Sequence, residues 1–335
     1  MLDSGATAAL RRIAKAVSFR LGDTLMRQGQ AARGAYLIET GEVEARVALP
    51  GGGELPVARS GPGSLLGEMA LLEHGTVSAT VVAHSPVGAG FVEREDFRAL
   101  IAQRDAAAFE LQHTVAMILV RKLRALDAKL LACEVPEDRP ADDEPAGDPL
   151  AGAPRRSAAS FDYRRFLPIL PLFREFTEDD IDRVVARAKL LELPRGQWMF
   201  GAGQPAGSSW IVVRGAVEVG ARRGALRRRI AVLGPGQWVG AMSQLDGAPR
   251  ASSARARENS LLLEIDRAAF DALYRAGDAT SARIGHAIQT SLLQSLRRTN
   301  IQLSRLISQS RIRGRRRALE DLQSALYGQL CHAAG

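Results

Sequence analysis

The chain is poor in the residues that most often do chemistry. Of its 335 residues only two are cysteine, Cys133 and Cys331, and five are histidine. Two cysteines so far apart, with no ligand-like neighbours, exclude a disulfide framework and read as free thiols in a reducing compartment. The histidines show no metal-ligand spacing. There is no Ser/His/Asp constellation, no paired carboxylates and no Walker-type loop, so the sequence offers no catalytic apparatus. No run approaches the roughly 18 apolar residues of a membrane span, and no secretory pattern opens the chain. The expectation is a non-enzymatic, cytoplasmic protein without a membrane span.

Acidic residues are missing from one stretch. Residues 279–319 hold nine arginines and no Asp or Glu. The chain's net charge is +8, and without those nine arginines it would be about −1. The basicity therefore belongs to the C-terminal stretch and not to the molecule as a whole. Its densest part is Arg311, Arg313, Arg315, Arg316 and Arg317. Such a cluster suits nucleic-acid phosphates, an acidic partner or an anionic surface, or is a solvated helix extension.

What the chain does contain is one long pattern written twice, about 173 residues apart. The first copy runs Gly22, Gly29-Gln30, Tyr36, Gly41-Glu42-Val43-Glu44, Gly61-Pro62-Gly63, Gly67-Glu68-Met69 and Phe97. The second runs Gly196, Gly203-Gln204, Trp210, Gly215-Ala216-Val217-Glu218, Gly234-Pro235-Gly236, Gly240-Ala241-Met242 and Phe270. A period of this size means two copies of a domain. Within each copy, short apolar runs alternate with Gly and Pro turn signals, which predicts a closed all-β roll or barrel. Helical patterns flank it: a short one around Leu10 to Val17, one capped at Thr177 with Asp180, and longer ones over 105–131 and 278–308. The long ones carry stripes at alternating 4,3 spacing, Leu119/Leu123/Leu126/Leu130 and Leu292/Leu296/Thr299/Leu303/Leu306. Each stripe packs either on its own barrel or, for the C-terminal helix, in a homodimer.

Between the copies, residues 134–154 hold five prolines and seven acids, a composition that predicts a flexible, solvated linker. The domain reading is therefore 1–132 for the first domain, 133–160 for an acidic Pro-rich linker, 161–308 for the second domain and 309–335 for an Arg-rich helical tail. Arg155-Arg156-Ser157-Ala158 follows the acidic run.

The glycine pattern together with Gly67-Glu68-Met69-Ala70-Leu71-Leu72 resembles the cyclic nucleotide-binding domain of the catabolite-activator (Crp/Fnr) family and of protein kinase A regulatory subunits. The resemblance covers roughly residues 17–130 and 166–308. It implies two β-roll (jelly-roll) domains, each followed by long helices. It also implies a phosphate-binding cassette in each, where helix-start amides attract an anion. In that family a cassette glutamate accepts the ribose 2′-hydroxyl, and an arginine about ten residues later holds the cyclic phosphate. Arg155-Arg156-Ser157-Ala158 also matches the pseudosubstrate pattern of the kinase subunits, but it lies between domains here, and an arginine-rich chain produces such matches by chance.

On that resemblance each copy keeps half of the pair. The first cassette, Gly67, Glu68, Met69 and Ala70 with Val77, Ser78 and Ala79, has the glutamate but a valine for the arginine. The second, Gly240, Ala241, Met242 and Ser243 with Arg250, Ala251 and Ser252, has the arginine but an alanine for the glutamate. A lost charged hydrogen bond is worth about 1.5–3 kcal/mol, so each site should be roughly 10- to 150-fold weaker than a complete one. A valine cannot replace a cation opposite a phosphate, whereas an alanine merely leaves a hydroxyl to water. The second site is thus the better anion site. Set against this, Arg250 reads equally as a surface arginine and Glu68 as a helix cap.

The expected function is a cyclic-nucleotide-type sensor (ligand cyclic AMP or cyclic GMP, no cofactor) that controls a protein partner through helix movement. The alternatives are a ligand-independent assembly protein on the same fold, or a transcription-associated regulator acting through its basic C-terminus. Only 27 residues follow Ser308, too few for a helix-turn-helix domain with its own core.

Overall fold

The computed structural model describes residues 4–48, 53–104, 106–133, 139–140, 144–145, 147–151, 153, 155–156 and 163–312. The chain divides into two compact units, residues 1–115 with 300–335, and residues 116–299. Each unit carries one antiparallel β-roll.

The first roll follows helix α1 (Ser4–Ile13) and uses β1 (Lys15–Phe19), β2 (Thr24–Met26), β3 (Gly34–Thr40), β4 (Val43–Ala48), β5 (Glu54–Ser60) and β6 (Leu65–Leu66). The short helix α2 (Glu68–Leu72) then leads to β7 (Thr80–Ala83) and β8 (Val87–Glu93), followed by α3 (Arg94–Ala102) and α4 (Ala106–Ala132). Two sheets, ordered β1-β8-β3-β6 and β2-β7-β4-β5, face each other over a core of Leu25, Ile38, Val43, Val81, Ala83, Val87 and Ala89. The helix expected to reach Val17 stops at Ile13. Val17 instead pairs with Ala89 in β1, where its β-branched side chain suits a strand.

The segment between the repeats supplies β9 (Arg139–Pro140) and β10 (Arg155–Arg156). The second roll has α5 (Glu178–Arg187), β11 (Lys189–Leu193), β12 (Trp198–Phe200), β13 (Ser208–Arg214), β14 (Val217–Arg223), β15 (Leu226–Leu233), β16 (Trp238–Val239), α6 (Ala241–Asp246), β17 (Ser253–Ala256) and β18 (Ser260–Asp266). Helices α7 (Arg267–Tyr274) and α8 (Ala279–Ile312) close it. Its sheets repeat the first order, β11-β18-β13-β16 and β12-β17-β14-β15. Even the irregularities recur: β3 and β13 shift register after Ile38 and Val212, and β4 and β14 after Ala45 and Val219. The duplication expected from the glycines therefore extends to the backbone.

The capping box forms as expected. The Thr177 amide donates to Asp180 Oδ2 at 2.8 Å, and Asp180 also takes Thr280 Oγ1 at 2.6 Å and Arg283 Nη1 at 2.8 Å, tying α5 to α8.

One expectation is corrected. The described residues of the acidic segment are ordered against the second roll. Leu150 is buried in its core beside Met199 and Trp210, Gln204 Nε2 donates to the carbonyls of Pro145 (3.0 Å) and Gly147 (2.7 Å), and Ser253 Oγ donates to Glu144 at 2.7 Å. β9 and β10 extend the two sheets at their edges, β9 against β15 and β10 against β11. One apolar anchor and a few satisfied carbonyls offset the cost of ordering a segment whose composition reads as coil. Ser157 and Ala158 lie outside the described residues, as do Arg313, Arg315, Arg316 and Arg317; Arg311 lies in the last turn of α8. The C-terminal stripe packs within the chain. Leu292, Leu296, Thr299 and Leu303 are already buried in a single chain, and Thr299 Oγ1 donates to Asp127 of α4 at 3.3 Å. A dimer through those side chains would require α8 to give up its own packing.

Candidate functional site

Both cassettes begin at a glycine whose backbone and surroundings leave no room for a side chain. Gly67 and Gly240 each have φ near +80°, a left-handed conformation that costs other residues. Each starts its short helix, α2 or α6. Across from each cassette the partner residues align as the repeat predicts. Val77 exchanges main-chain hydrogen bonds with Gly29 and Gln30, and Arg250 does the same with Gly203 and Gln204. Val77 and Arg250 are therefore equivalent positions.

The side chains then diverge. Arg250 is 4% exposed. Its Nη1 donates to Gly240 O at 3.2 Å, its Nη2 donates to Ser208 O, and its guanidinium carbon lies 4.4 Å from the centre of the Phe200 ring and 5.3 Å from that of Trp210. Nε makes no hydrogen bond, and among the described residues no carboxylate pairs with the group. Burial, with a smaller contribution from Arg267, pulls this guanidinium down to about 10. A cation held in a low-dielectric setting without a counter-ion is costly, and the cost disappears when an anion arrives.

In the first roll the corresponding face of the glycine is filled by a neutral group. A Cβ on Gly67 would lie 2.6 Å from Met26 Cε and 3.2 Å from its sulfur, whereas a Cβ on Gly240 would lie 2.5 Å from Arg250 Nη1. Met26 ends β2 as Phe200 ends β12, so a thioether sits against one cassette where the guanidinium sits against the other. Glu68 is buried at the first position of α2, while Ala241 is buried at that of α6. His74 stands in the first cassette loop with its Nδ1 2.5 Å from Arg94 Nη1.

A second conserved geometry in the two rolls was not read from the sequence. Arg94 bonds the Ala70 carbonyl and, at 2.5 Å, that of Ala32; Arg267 bonds the carbonyls of Gln244 (2.5 Å) and Ser243 (3.3 Å). Both arginines brace the end of the cassette helix. They sit 173 residues apart, the same offset as Phe97 and Phe270, so extending the repeat comparison to polar positions would have found them.

A cavity of about 90 Å³ opens in front of Arg250, several times what one water needs. Its barrel wall includes Phe200, Trp238, Gly240 to Ser243, and Arg250 to Ser252. Every residue predicted for the second site thus lines one cavity. Its other wall was not foreseen: Leu123 and Asp127 from α4, and Ser291, Leu292, Ser295, Arg298 and Thr299 from α8. Asp127 is buried, which pushes its carboxyl up to about 6 despite the Thr299 hydrogen bond and the charge of Arg124. Burial lowers the Arg298 guanidinium. Arg124 of α4 clamps the cassette from outside, gripping Asp246 with Nε at 2.6 Å and Nη2 at 3.0 Å, and donating to Pro249 O at 3.2 Å. Among the described residues no His/Cys/Asp/Glu group could hold a metal ion, and no helix is long and apolar enough to cross a membrane.

The second roll thus sets a buried cation against the glycine that starts α6, beside an open cavity. In comparison with known proteins, the cyclic nucleotide-binding domain matches residues 16–104 and 190–276, more than half of the chain, and the chain belongs to that family. A curated relative, the cyclic AMP receptor protein of Thermus thermophilus, is 37% identical over 109 residues, covering 32% of this chain and 49% of that protein. The CRP-like cAMP-activated global transcriptional regulator of Mycobacterium tuberculosis is 30% identical over 137 residues, covering 41% and 59%. The chain thus spans about half the length of these curated relatives. Among solved structures, the regulatory domain of Toxoplasma gondii PKA with cAMP aligns over 82% of this chain and 87% of its own, at 18% identity and a TM-score of 0.32. The N-terminal domain of a Streptomyces coelicolor transcriptional regulator aligns over 36% and 86%, at 30% identity and a TM-score of 0.33.

Proposed function

We propose that the protein is a non-enzymatic regulator that binds one cyclic nucleotide per chain, in the second roll, with Arg250 on the cyclic phosphate. The observation that carries this reading is Arg250 itself: a buried guanidinium facing a cavity, with a free Nε and no carboxylate. An incoming phosphate would replace two neutral carbonyl acceptors with a charge-assisted pair. Ala241 leaves the ribose 2′-hydroxyl to water or to Ser252. The first roll, with Met26 against its cassette and Val77 in the arginine position, binds no anion and serves as a scaffold.

The cavity also suggests how binding is transmitted. About 90 Å³ is well below the roughly 300–1,000 Å³ of ordinary ligand pockets, so a nucleotide must displace a wall. The walls outside the barrel are α4 and α8. Arg124 couples α4 to the cassette through Asp246, so a shift of α6 on binding is passed to α4 and from there to a partner protein. A ligand-independent scaffold is the second reading, favoured by the two Nη groups of Arg250 already bonded to carbonyls. Calorimetry with cyclic AMP and cyclic GMP on the wild type and on Arg250→Ala separates the two. Binding that the substitution removes supports the regulator; no binding at millimolar nucleotide, or binding indifferent to the substitution, supports the scaffold.

A further inference from the structure

The segment between the rolls acts as a strap on the second roll, and among the described residues the first roll has nothing in that place. β9 pairs with β15 and β10 with β11, so the strap reaches the outer strand of each sheet. Between them Leu150 and Ala153 pack on the core that contains Leu191, Leu193 and Trp210, all three buried. Strand register gives their counterparts in the first roll. Leu191 pairs with Leu262 and Leu193 with Ser260, as Val17 pairs with Ala89 and Phe19 with Val87. Trp210 pairs with Glu264 as Tyr36 pairs with Phe91. Val17, Phe19 and Tyr36 are only half-buried. Phe19 and Tyr36 meet edge to face at 5.7 Å, and Leu21, two residues further on, is 68% exposed. β1 is the outer strand of its sheet and, among the described residues, pairs only with β8. An open strand edge beside an apolar seat is what an extended peptide needs in order to add a strand.

Charge distinguishes the two seats. Arg20 follows β1 where Pro194 follows β11, Arg27 follows β2 where Gly201 follows β12, and Arg33 precedes β3 where Gly207 precedes β13. All three arginines are exposed. On the second roll the strap already brings an acid to this corner: Glu144 Oε2 lies 3.5 Å from the Ala202 amide, next to Gly201. An acid in the same place on the first roll would meet Arg27. The first seat therefore suits a segment with the chemistry of the strap, extended and acidic with an apolar anchor, and offers it cations that the second seat lacks.

We propose that the β1 edge of the first roll docks an extended acidic segment of a partner protein. One leucine-sized side chain of that segment sits among Val17, Phe19 and Tyr36, and its acids meet Arg20, Arg27 and Arg33. The chain's own strap is not the occupant, because Gln204, Ser253 and two strand pairings hold it on the second roll. The surface goes beyond the nucleotide reading and does not depend on it, since it lies on the other roll from Arg250.

The test uses the intact chain and, as probe, a fluorescein-labelled peptide with the sequence of residues 142–154, which has four acids, no basic residue and one leucine. Fluorescence anisotropy should show saturable binding that weakens as salt is raised. Serine in place of the peptide's leucine should weaken it roughly tenfold or more, the size expected when a buried leucine is lost. In the chain, Phe19→Ser should have a similar effect, with thermal melting to confirm folding. Arg20→Glu with Arg27→Glu, both at exposed positions, should weaken binding by roughly fivefold or more. Gln204→Ala, which loosens the strap on the second roll, should bind the peptide as the wild type does. No saturable binding, or binding indifferent to the first-roll variants, overturns the docking surface. Binding that changes with Gln204→Ala means that the peptide exchanges with the strap, and overturns it as well. A dimer of the chain that light scattering shows to dissociate in Arg20→Glu with Arg27→Glu makes a second copy the occupant and overturns the assignment to a partner. All of these outcomes leave the Arg250 site untouched.

Discussion

The two rolls share a backbone down to the register shifts, yet one cassette faces a thioether and the other a guanidinium. Gly67 and Gly240 have the same left-handed φ, and Val77 and Arg250 make the same main-chain hydrogen bonds. At the cassettes the difference lies in side chains: Met26 against Phe200, Val77 against Arg250, Glu68 against Ala241. The fold therefore maintains the cassette without regard to whether it can bind. A β-roll stabilised by its core and by the Arg94 or Arg267 brace tolerates loss of the ligand contacts, because those contacts contribute little to folding.

Four tests sharpen or break this contrast. The largest effect concerns the strap that only the second roll possesses. Leu150→Ala removes a buried side chain from that core and should cost about 2–5 kcal/mol, read by denaturant unfolding. A loss below about 0.5 kcal/mol would mean that the segment contributes nothing to the roll. Next is Arg250→Ala, which should weaken nucleotide binding by about 1.5–3 kcal/mol, or roughly 10- to 150-fold. Val77→Ala, at the matching position, should leave binding unchanged.

The third substitution tries to convert the first roll into the second. Val77→Arg alone should not create a site, because Met26 packs against Gly67 where the guanidinium would lie. Val77→Arg with Met26→Ala, alongside the native Glu68, should add a second binding event that is at least about tenfold stronger than in the single variant. If Val77→Arg suffices by itself, the thioether is no obstacle. The last is Ala241→Glu, which restores a carboxylate-to-hydroxyl hydrogen bond worth at most about 1.5–3 kcal/mol, less the cost of burying the new charge, and should tighten the second site by a smaller factor than Arg250→Ala weakens it. A weaker site would place the ribose elsewhere.

The sequence revealed the fold through its glycines, since turns of positive φ leave a mark that survives divergence in everything around them. It also aligned Val77 with Arg250 correctly, because no insertion separates Gly61 from Phe97. Other parts were illegible for physical reasons. Met26 lies about 50 residues before Val77, and an apolar residue ending a strand reads as core whatever it packs against. Leu123, Asp127 and Arg298 reach the cavity from helices whose stripes indicate that they pack, but not on what. The anchoring of Glu144, Pro145, Gly147 and Leu150 escaped because a proline-rich acidic run with one leucine has no period, and it depends on Gln204, Ser253 and the core around Leu150. The stripe on α8 was read correctly as a contact, but α4 of the same chain already helps to cover it.

The central claim is an asymmetry of binding, and the stoichiometry of nucleotide binding to the intact chain tests it most directly. Titration calorimetry with cyclic GMP and cyclic AMP should give one mole of nucleotide per mole of chain, with an affinity lowered at least about tenfold by Arg250→Ala and unchanged by Val77→Ala. Two moles per chain, or one mole bound with unchanged affinity after loss of Arg250, would contradict the account.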